Sequence, residues 1–204
     1  MNRRELLSQV AYLMGGAVSA PAILGLMSGC SPKQSTAGWK PAFLTEDQGA
    51  IVTEVAEMII PRTDTPGARD VGIPEFIDTM LKDVYEKEDQ QRYVNGIDAL
   101  EKASEAQFRK AFMKLDSPQR MQLVKQFHDE AVERERADDE PDRSSRRPFI
   151  LMTKELTLLG FFTSQVGASQ VLQYNPVPGA WRACIPISQA GNGHSWAPEG
   201  PPRF

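Results

Sequence analysis

Cysteine and histidine are scarce in this chain. Among 204 residues there are two of each, Cys30 and Cys184, His128 and His194. Two cysteines exclude a disulfide scaffold and a thiolate zinc site, and without a Cys-x-x-Cys-His run no c-type haem is attached here. The histidines are far apart. The positions four residues either side of His128 are Val124 and Val132, so the helical pairing that a metal would need is missing, and a surface histidine is the reading. His194 lies in the polar run Gly191-Asn192-Gly193-His194-Ser195-Trp196, which suits a solvent-exposed or interface side chain. No Gly-x-Ser-x-Gly elbow accompanies either histidine, and no Gly-x-Gly-x-x-Gly turn is present to cradle a dinucleotide. Positive charge is also short. The net charge is −4, which argues against a nucleic-acid binder, whose basic stripe must displace counterions. The acidic pair Asp138-Asp139 sits in a charged stretch and reads as solvated. The chain therefore offers no constellation for catalysis on its own.

The N-terminus carries the most specific local signal. Arg3 and Arg4 precede Leu6 and Leu7, and residues 6–32 contain no charge. Paired arginines before a moderately apolar run resemble a twin-arginine export signal, a route that moves folded cargo. Residues 1–29 are read as this signal segment and 30–42 as a polar tether. Small residues before Cys30 match a lipoprotein processing site, making Cys30 the candidate for lipidation. Two alternatives stay open. Cleavage after Ala20-Pro21-Ala22 would leave Cys30 to pair with Cys184, and an uncleaved stretch exceeds the ~20 residues of a membrane span. Cys184 reads as a candidate disulfide partner, for Cys30 or for another chain, or as a buried thiol.

Residues 43–166 read as a helical domain. Thr45 and Gln48 form a capping box, Ile51, Val55, Met58 and Ile59 share a face, and Pro61 stops the helix. After a turn-rich loop, Pro74 fits the first position of a second helix, with Phe76, Ile77, Met80, Leu81 and Val84 as its stripe. Tyr93, Ile97 and Leu100 mark a third. Ser104 with Gln107 predicts the start of a fourth, carrying Phe108, Phe112 and Leu115, and Ser117-Pro118 that of a fifth. Charge then dominates to Arg147, and Pro148 opens a sixth, from Phe149 to about Val166. A helix apolar on most sides, as this one is, lies centrally or faces a partner. From Gly167 proline and glycine are too dense for a periodic element, so residues 167–204 read as an irregular arm. Tyr174 and Trp181 suit packing on a partner or on the chain's own helices. The fold class is all-α: a compact bundle of about six helices with a long irregular C-terminal arm.

The loop after the first helix is rich in turn formers. Asp64 can bond its own following backbone, Pro66 fixes φ, Gly67 permits a left-handed turn, and Thr63 and Thr65 add hydroxyls. It reads as a rigid connector with Asp64 paired to Arg62 or to amides, and equally as a docking loop, since rigidity favours binding.

Two stretches resemble a known family. One is Glu57-Met58-Ile59-Ile60-Pro61-Arg62-Thr63-Asp64-Thr65-Pro66-Gly67-Ala68, continuing to Val71-Gly72-Ile73-Pro74-Glu75-Phe76-Ile77-Asp78. The other runs from Leu158 to Gly167, then through Tyr174-Asn175-Pro176-Val177-Pro178-Gly179 and Cys184-Ile185-Pro186. Together they are similar to the gluconate 2-dehydrogenase subunit 3 family over nearly all of residues 43–187, and the leader fits too. Phe161-Phe162 departs from the family, which usually has a tyrosine in that aromatic pair. The resemblance implies a noncatalytic small subunit with no cofactor of its own. Its partner would be a glucose-methanol-choline-type flavoprotein holding FAD and oxidising a polyol, aldose or aldonate. A multihaem cytochrome c would carry electrons onward through haem c. The small subunit would aid maturation, twin-arginine export and assembly at the periplasmic side of the bacterial inner membrane. Thr63, Asp64, Thr65, Pro66, Gly67, Tyr174, Pro178 and Trp181 are then the candidate docking residues. The alternative is a stand-alone envelope lipoprotein with a binding or structural role.

Overall fold

Local helix signals place most of the elements, and apolar faces decide how they meet. The computed structural model describes residues 39–137, 147–174, 184–186, 189 and 193–197, all within one compact unit, Ser35–Phe204. Helix α1 spans Glu46–Ile59 and opens on the expected box: the Gln48 amide donates to Thr45 Oγ1 at 3.2 Å and the Thr45 amide to Gln48 Oε1 at 3.1 Å. Helix α2 spans Ile73–Asp83. Its N-cap is Gly72 at φ 76°, a left-handed conformation that costs glycine little, and Pro74 falls in its first turn.

Helix α3, Lys87–Phe108, absorbs the segment expected to start a fourth helix. Ser104 does not cap anything. It is buried inside α3, and its hydroxyl donates to the Lys110 carbonyl at 2.7 Å. The Ser-x-x-Gln pattern is a start signal only where the chain before it is not already helical, and here Glu101-Lys102-Ala103 carries the helix through. Arg109, at φ 56°, closes it in the left-handed conformation usual after a helix. Phe112 follows in a short 3-10 turn, Phe112–Lys114, and is fully buried. Helix α4 spans Ser117–Ala137. Its cap is Asp116 rather than Ser117, in a reciprocal box with Gln119: 2.9 Å from the Gln119 amide to Asp116 Oδ1, 3.3 Å from the Asp116 amide to Gln119 Oε1.

Helix α5, Phe149–Thr163, packs against each of α1 to α4. Its all-round apolarity therefore reflects a central position. Gly160 makes the contact with α2 close: an added Cβ would lie 2.6 Å from the Phe76 ring. On another side, the buried Tyr93 hydroxyl of α3 lies 2.8 Å from Thr153 Oγ1, which donates to the Phe149 carbonyl at 2.8 Å. The Tyr93 and Phe149 rings meet edge to face at 5.0 Å between centroids. Such pairs contribute about 0.5–1.5 kcal/mol beyond burial. Phe161, in the pair that departs from the family, is almost fully buried and stacks edge-on with Phe162 at 5.4 Å. A phenyl ring needs no hydrogen-bond partner there.

The helical path outlasts its expected end. Ser164 interrupts it, accepting from the Gly167 amide at 3.0 Å, and a π-helical turn follows over Gly167–Val171. Farther along the arm, Gln173 and Trp196 form an isolated parallel bridge, with the Gln173 amide 2.9 Å from the Ser195 carbonyl and the Ala197 amide 2.9 Å from that of Gln173. The all-α reading holds, with no strand among the described residues.

Ahead of α1, residues 39–44 are held by one side chain. Asp78 on α2 is 1% exposed, and its carboxylate accepts from the amides of Ala42 at 2.7 Å, Phe43 at 3.2 Å and Leu44 at 2.8 Å. Trp39 and Pro41 close this strap against Gly49 of α1.

Candidate functional site

The loop between α1 and α2 is set by carboxylates. Glu57, near the end of α1, accepts from the Arg62 amide at 3.1 Å through one oxygen and from the Arg69 amide at 2.9 Å through the other. Asp70 accepts from the Gly67 amide at 2.9 Å and binds the Arg62 guanidinium through Nε at 2.6 Å and a terminal nitrogen at 2.5 Å. Backbone bonds complete the frame: Ala68 to Ile60 at 2.9 Å, Ile73 to Ala68 at 3.1 Å and Thr63 to Thr65 at 3.0 Å. The Arg62 guanidinium and the Gly67 amide hold the Asp70 carboxyl below its usual range, and Asp70 raises Arg62 in turn.

Two expectations for this loop change. Arg62 pairs with Asp70, not with Asp64, because Asp70 lies on the returning limb and reaches both the guanidinium and an amide. Gly67 is not the left-handed residue, a role that falls to Gly72. Gly67 is required for space: an added Cβ would sit 2.5 Å from Glu57 Oε1 and 2.6 Å from the Arg62 nitrogen. Gly67 is buried, Thr65 and Pro66 are half-buried, and Arg62, Thr63 and Asp64 are exposed. The result is a fixed frame with a solvent-facing apex.

A second network ties the loop to the rest of the molecule. Glu54 of α1 bridges Arg69 at 3.0 Å and Arg120 of α4 at 2.6 Å. Arg120 also donates to the carbonyls of Leu115 at 3.1 Å and Met113 at 3.0 Å. Sequence reasoning missed Glu54, Glu57 and Asp70 as builders of this site. Nothing local marks them: Glu54 meets Arg120 66 residues away, and Glu57 and Asp70 meet their partners only when the loop turns back.

Of the remaining candidates, none among the described residues bonds to this loop's frame. Tyr174 is exposed beside the Gln173–Trp196 bridge, and Trp196 is exposed as well. Cys184 is an exposed thiol and not a buried one. Arg3, Arg4, Cys30, Pro178 and Trp181 lie outside the described residues. His128 is half-exposed, 3.3 Å from Asp129 and 3.2 Å from the Lys154 ammonium. His194 is exposed and donates through Nδ1 to the Val171 carbonyl at 2.9 Å. Among the described residues no group of three or more histidine, cysteine or acidic side chains could hold a metal, and no helix is long and apolar enough to cross a membrane.

Comparison with known proteins adds one positive finding. No curated protein and no solved structure matches the chain. The sequence model described as gluconate 2-dehydrogenase subunit 3 matches residues 46–179, a span from the first turn of α1 into the C-terminal arm that takes in the whole carboxylate-framed loop. With well over half its length so matched, the chain belongs to the gluconate 2-dehydrogenase subunit 3 family.

Proposed function

We propose that this chain is the noncatalytic small subunit of a membrane-associated, FAD-dependent dehydrogenase complex acting on sugars or sugar acids. The observation that carries the reading is the family match, which embraces the helical core and the rigid loop together. In this reading the flavoprotein subunit holds FAD and performs the oxidation, and a haem c-bearing subunit takes the electrons. The small subunit stabilises the flavoprotein, and its twin-arginine leader, with Arg3 and Arg4, draws the folded pair to the periplasmic side of the inner membrane. Lipidation at Cys30 would add a second hold there, since one acyl chain alone binds only marginally.

The docking role falls to the loop apex, Thr63 to Pro66, with the buried Gly67 setting its shape, and to Tyr174 with Pro178 and Trp181 on the arm. A loop whose backbone is already fixed loses little entropy when it meets a partner. Exposed aromatic side chains such as Tyr174 and Trp196 are the type that interface cores enrich.

The test is affinity purification of a C-terminally tagged chain from its native membranes, with mass spectrometry and a flavin absorbance scan of the eluate. The expected result is a flavin-bearing dehydrogenase in near-equal amount. An eluate with no flavin and no stable companion would sink the proposal.

A further inference from the structure

A cavity of about 610 Å³ opens between α3, α4 and the start of α5, and it shares no residue with the carboxylate-framed loop. Its volume is that of a small-molecule site. Small residues make the room: Gly96 and Ala99 on α3, Ala131 on α4. A Cβ at Gly96 would collide with Phe149, so α3 meets α5 there and closes the floor. Phe127, Phe149 and Ile150 complete an apolar lining, with Phe149 and Ile150 buried, Phe127 half-buried and Ala99 exposed at the edge. The rest of the lining is polar and rich in donors. Arg92 of α3, Arg134 of α4 and Arg147 ahead of α5 contribute to it, with Glu130 and Glu135. A guanidinium carries several N–H donors. Among the described residues, Arg92 bonds to Asp89, Arg147 bonds to Glu155, and Arg134 has an ion pair with Glu130 at 3.5 Å. Arg147 Nε is buried and makes no hydrogen bond; Glu135 Oε1 lies 3.3 Å from it, outside bonding geometry. A buried donor left in this state costs free energy that an incoming acceptor recovers. The two acids already face partners, Glu130 taking Gln126 at 3.0 Å as well as Arg134, and Glu135 facing Arg147. An added oxyanion therefore meets spare donors.

We propose that this cavity binds an amphiphile, a single apolar chain lying against Phe127 and Phe149 whose terminal carboxylate or phosphate is held by Arg147, with Arg92 and Arg134 beside it. The guanidinium fork matches either oxyanion. A small hydrophilic anion would leave the aromatic lining unused, and a plain hydrocarbon would leave Arg147 Nε without an acceptor. The site needs no partner subunit, so it stands or falls apart from the docking reading.

The experiment treats native membranes carrying the tagged full chain with a diazirine-bearing dodecanoic acid. After irradiation the chain is purified and its adducts are mapped by peptide mass spectrometry. Adducts should concentrate on the peptides that contain Phe127 and Phe149. Unlabelled dodecanoate or dodecyl phosphate should displace the probe, and the stronger of the two identifies the head group. Dodecanol, of equal chain length but uncharged, should need about tenfold more or beyond, because it lacks the charge-assisted bond. Ala99→Phe fills the trough from an exposed position and should abolish labelling with an unchanged circular dichroism spectrum. Arg147→Lys keeps the charge but loses Nε, and should narrow the gap between dodecanoate and dodecanol. Arg134→Gln, at a side chain 75% exposed, should narrow it too and keeps the test open if another variant does not fold. Labelling spread evenly over surface peptides, or undiminished in folded Ala99→Phe, overturns the proposal. Dodecanol competing as well as dodecanoate overturns it equally, since the guanidiniums then read no head group.

Discussion

Removing the Asp78 carboxylate should loosen the front of the domain. One buried side chain serves three consecutive amides, of Ala42, Phe43 and Leu44. A hydrogen bond to a charged group contributes about 1.5–3 kcal/mol. The three share one acceptor and are not independent, so their sum overstates the effect. We expect Asp78→Ala to cost about 3–5 kcal/mol and Asp78→Asn about 2–3 kcal/mol, because asparagine keeps one oxygen but turns an NH2 group toward an amide. Against a typical domain stability of about 5–15 kcal/mol this is a large fraction. The assay is urea unfolding followed by circular dichroism, with amide exchange at Ala42 to Leu44 measured under native conditions. Two signatures separate the mechanisms. A strap that frays alone shows fast exchange at those amides and altered emission from Trp39, which packs on Gly49, with the midpoint little changed. A strap coupled to the core lowers the midpoint as well. If Asp78→Ala shifts stability by less than about 1 kcal/mol and leaves exchange at the three amides unchanged, the clamp is not what holds residues 42–44, and the reasoning is wrong.

Other consequences follow from the same geometry. Gly67→Ala should displace Glu57 or the Arg62 backbone and destabilise by about 1–3 kcal/mol, measurable by urea midpoint, with weaker flavoprotein retention as a second readout. Asp70, whose folded carboxyl is held low by Arg62, should contribute stability that is complete above the ordinary carboxylate range and lost as pH falls through its depressed value. Urea midpoints of wild type and Asp70→Asn should therefore converge as acidification passes below the ordinary carboxylate range, and equal separation at every pH would contradict the pairing. Tyr93→Phe should cost about 1 kcal/mol, since Thr153 keeps its bond to the Phe149 carbonyl and only the phenol contact is lost. A thermal scan that finds no change would show that the contact adds nothing.

What could be read from sequence was what neighbouring residues decide. The Thr45–Gln48 box and the stop before Pro61 are local and appear as read. The same capping-box logic failed at Ser104, where the preceding residues were already helical, and the Ser117-Pro118 start was off by one, since Asp116 is the residue that accepts from the Gln119 amide. The apolarity of α5 was plain, but whether it faced a core or a partner depended on four other helices. At the candidate site the tip residues were visible as turn formers. Its frame was not, because Glu57, Asp70 and Gly67 act on partners that only the returning chain brings near. Asp78 is the extreme case: its partners lie 34 to 36 residues earlier, and nothing in the pattern around it sets it apart from a surface acid.

The central position of α5 also fixes an order of events during synthesis. Helices α1 to α4 each turn an apolar face toward a surface that α5 supplies, and α5 ends at Thr163. Until that segment clears the ribosome the earlier helices have only their packing on one another, α1 with α2 and α3 with α4, and the faces they turn to α5 stay uncovered. The stretch that reads as an export leader emerges first and the domain closes last. On the proposed export reading, the leader is displayed before the domain is complete, which would make the nascent chain a customer for any factor that shields leaders or apolar helices until translation is complete.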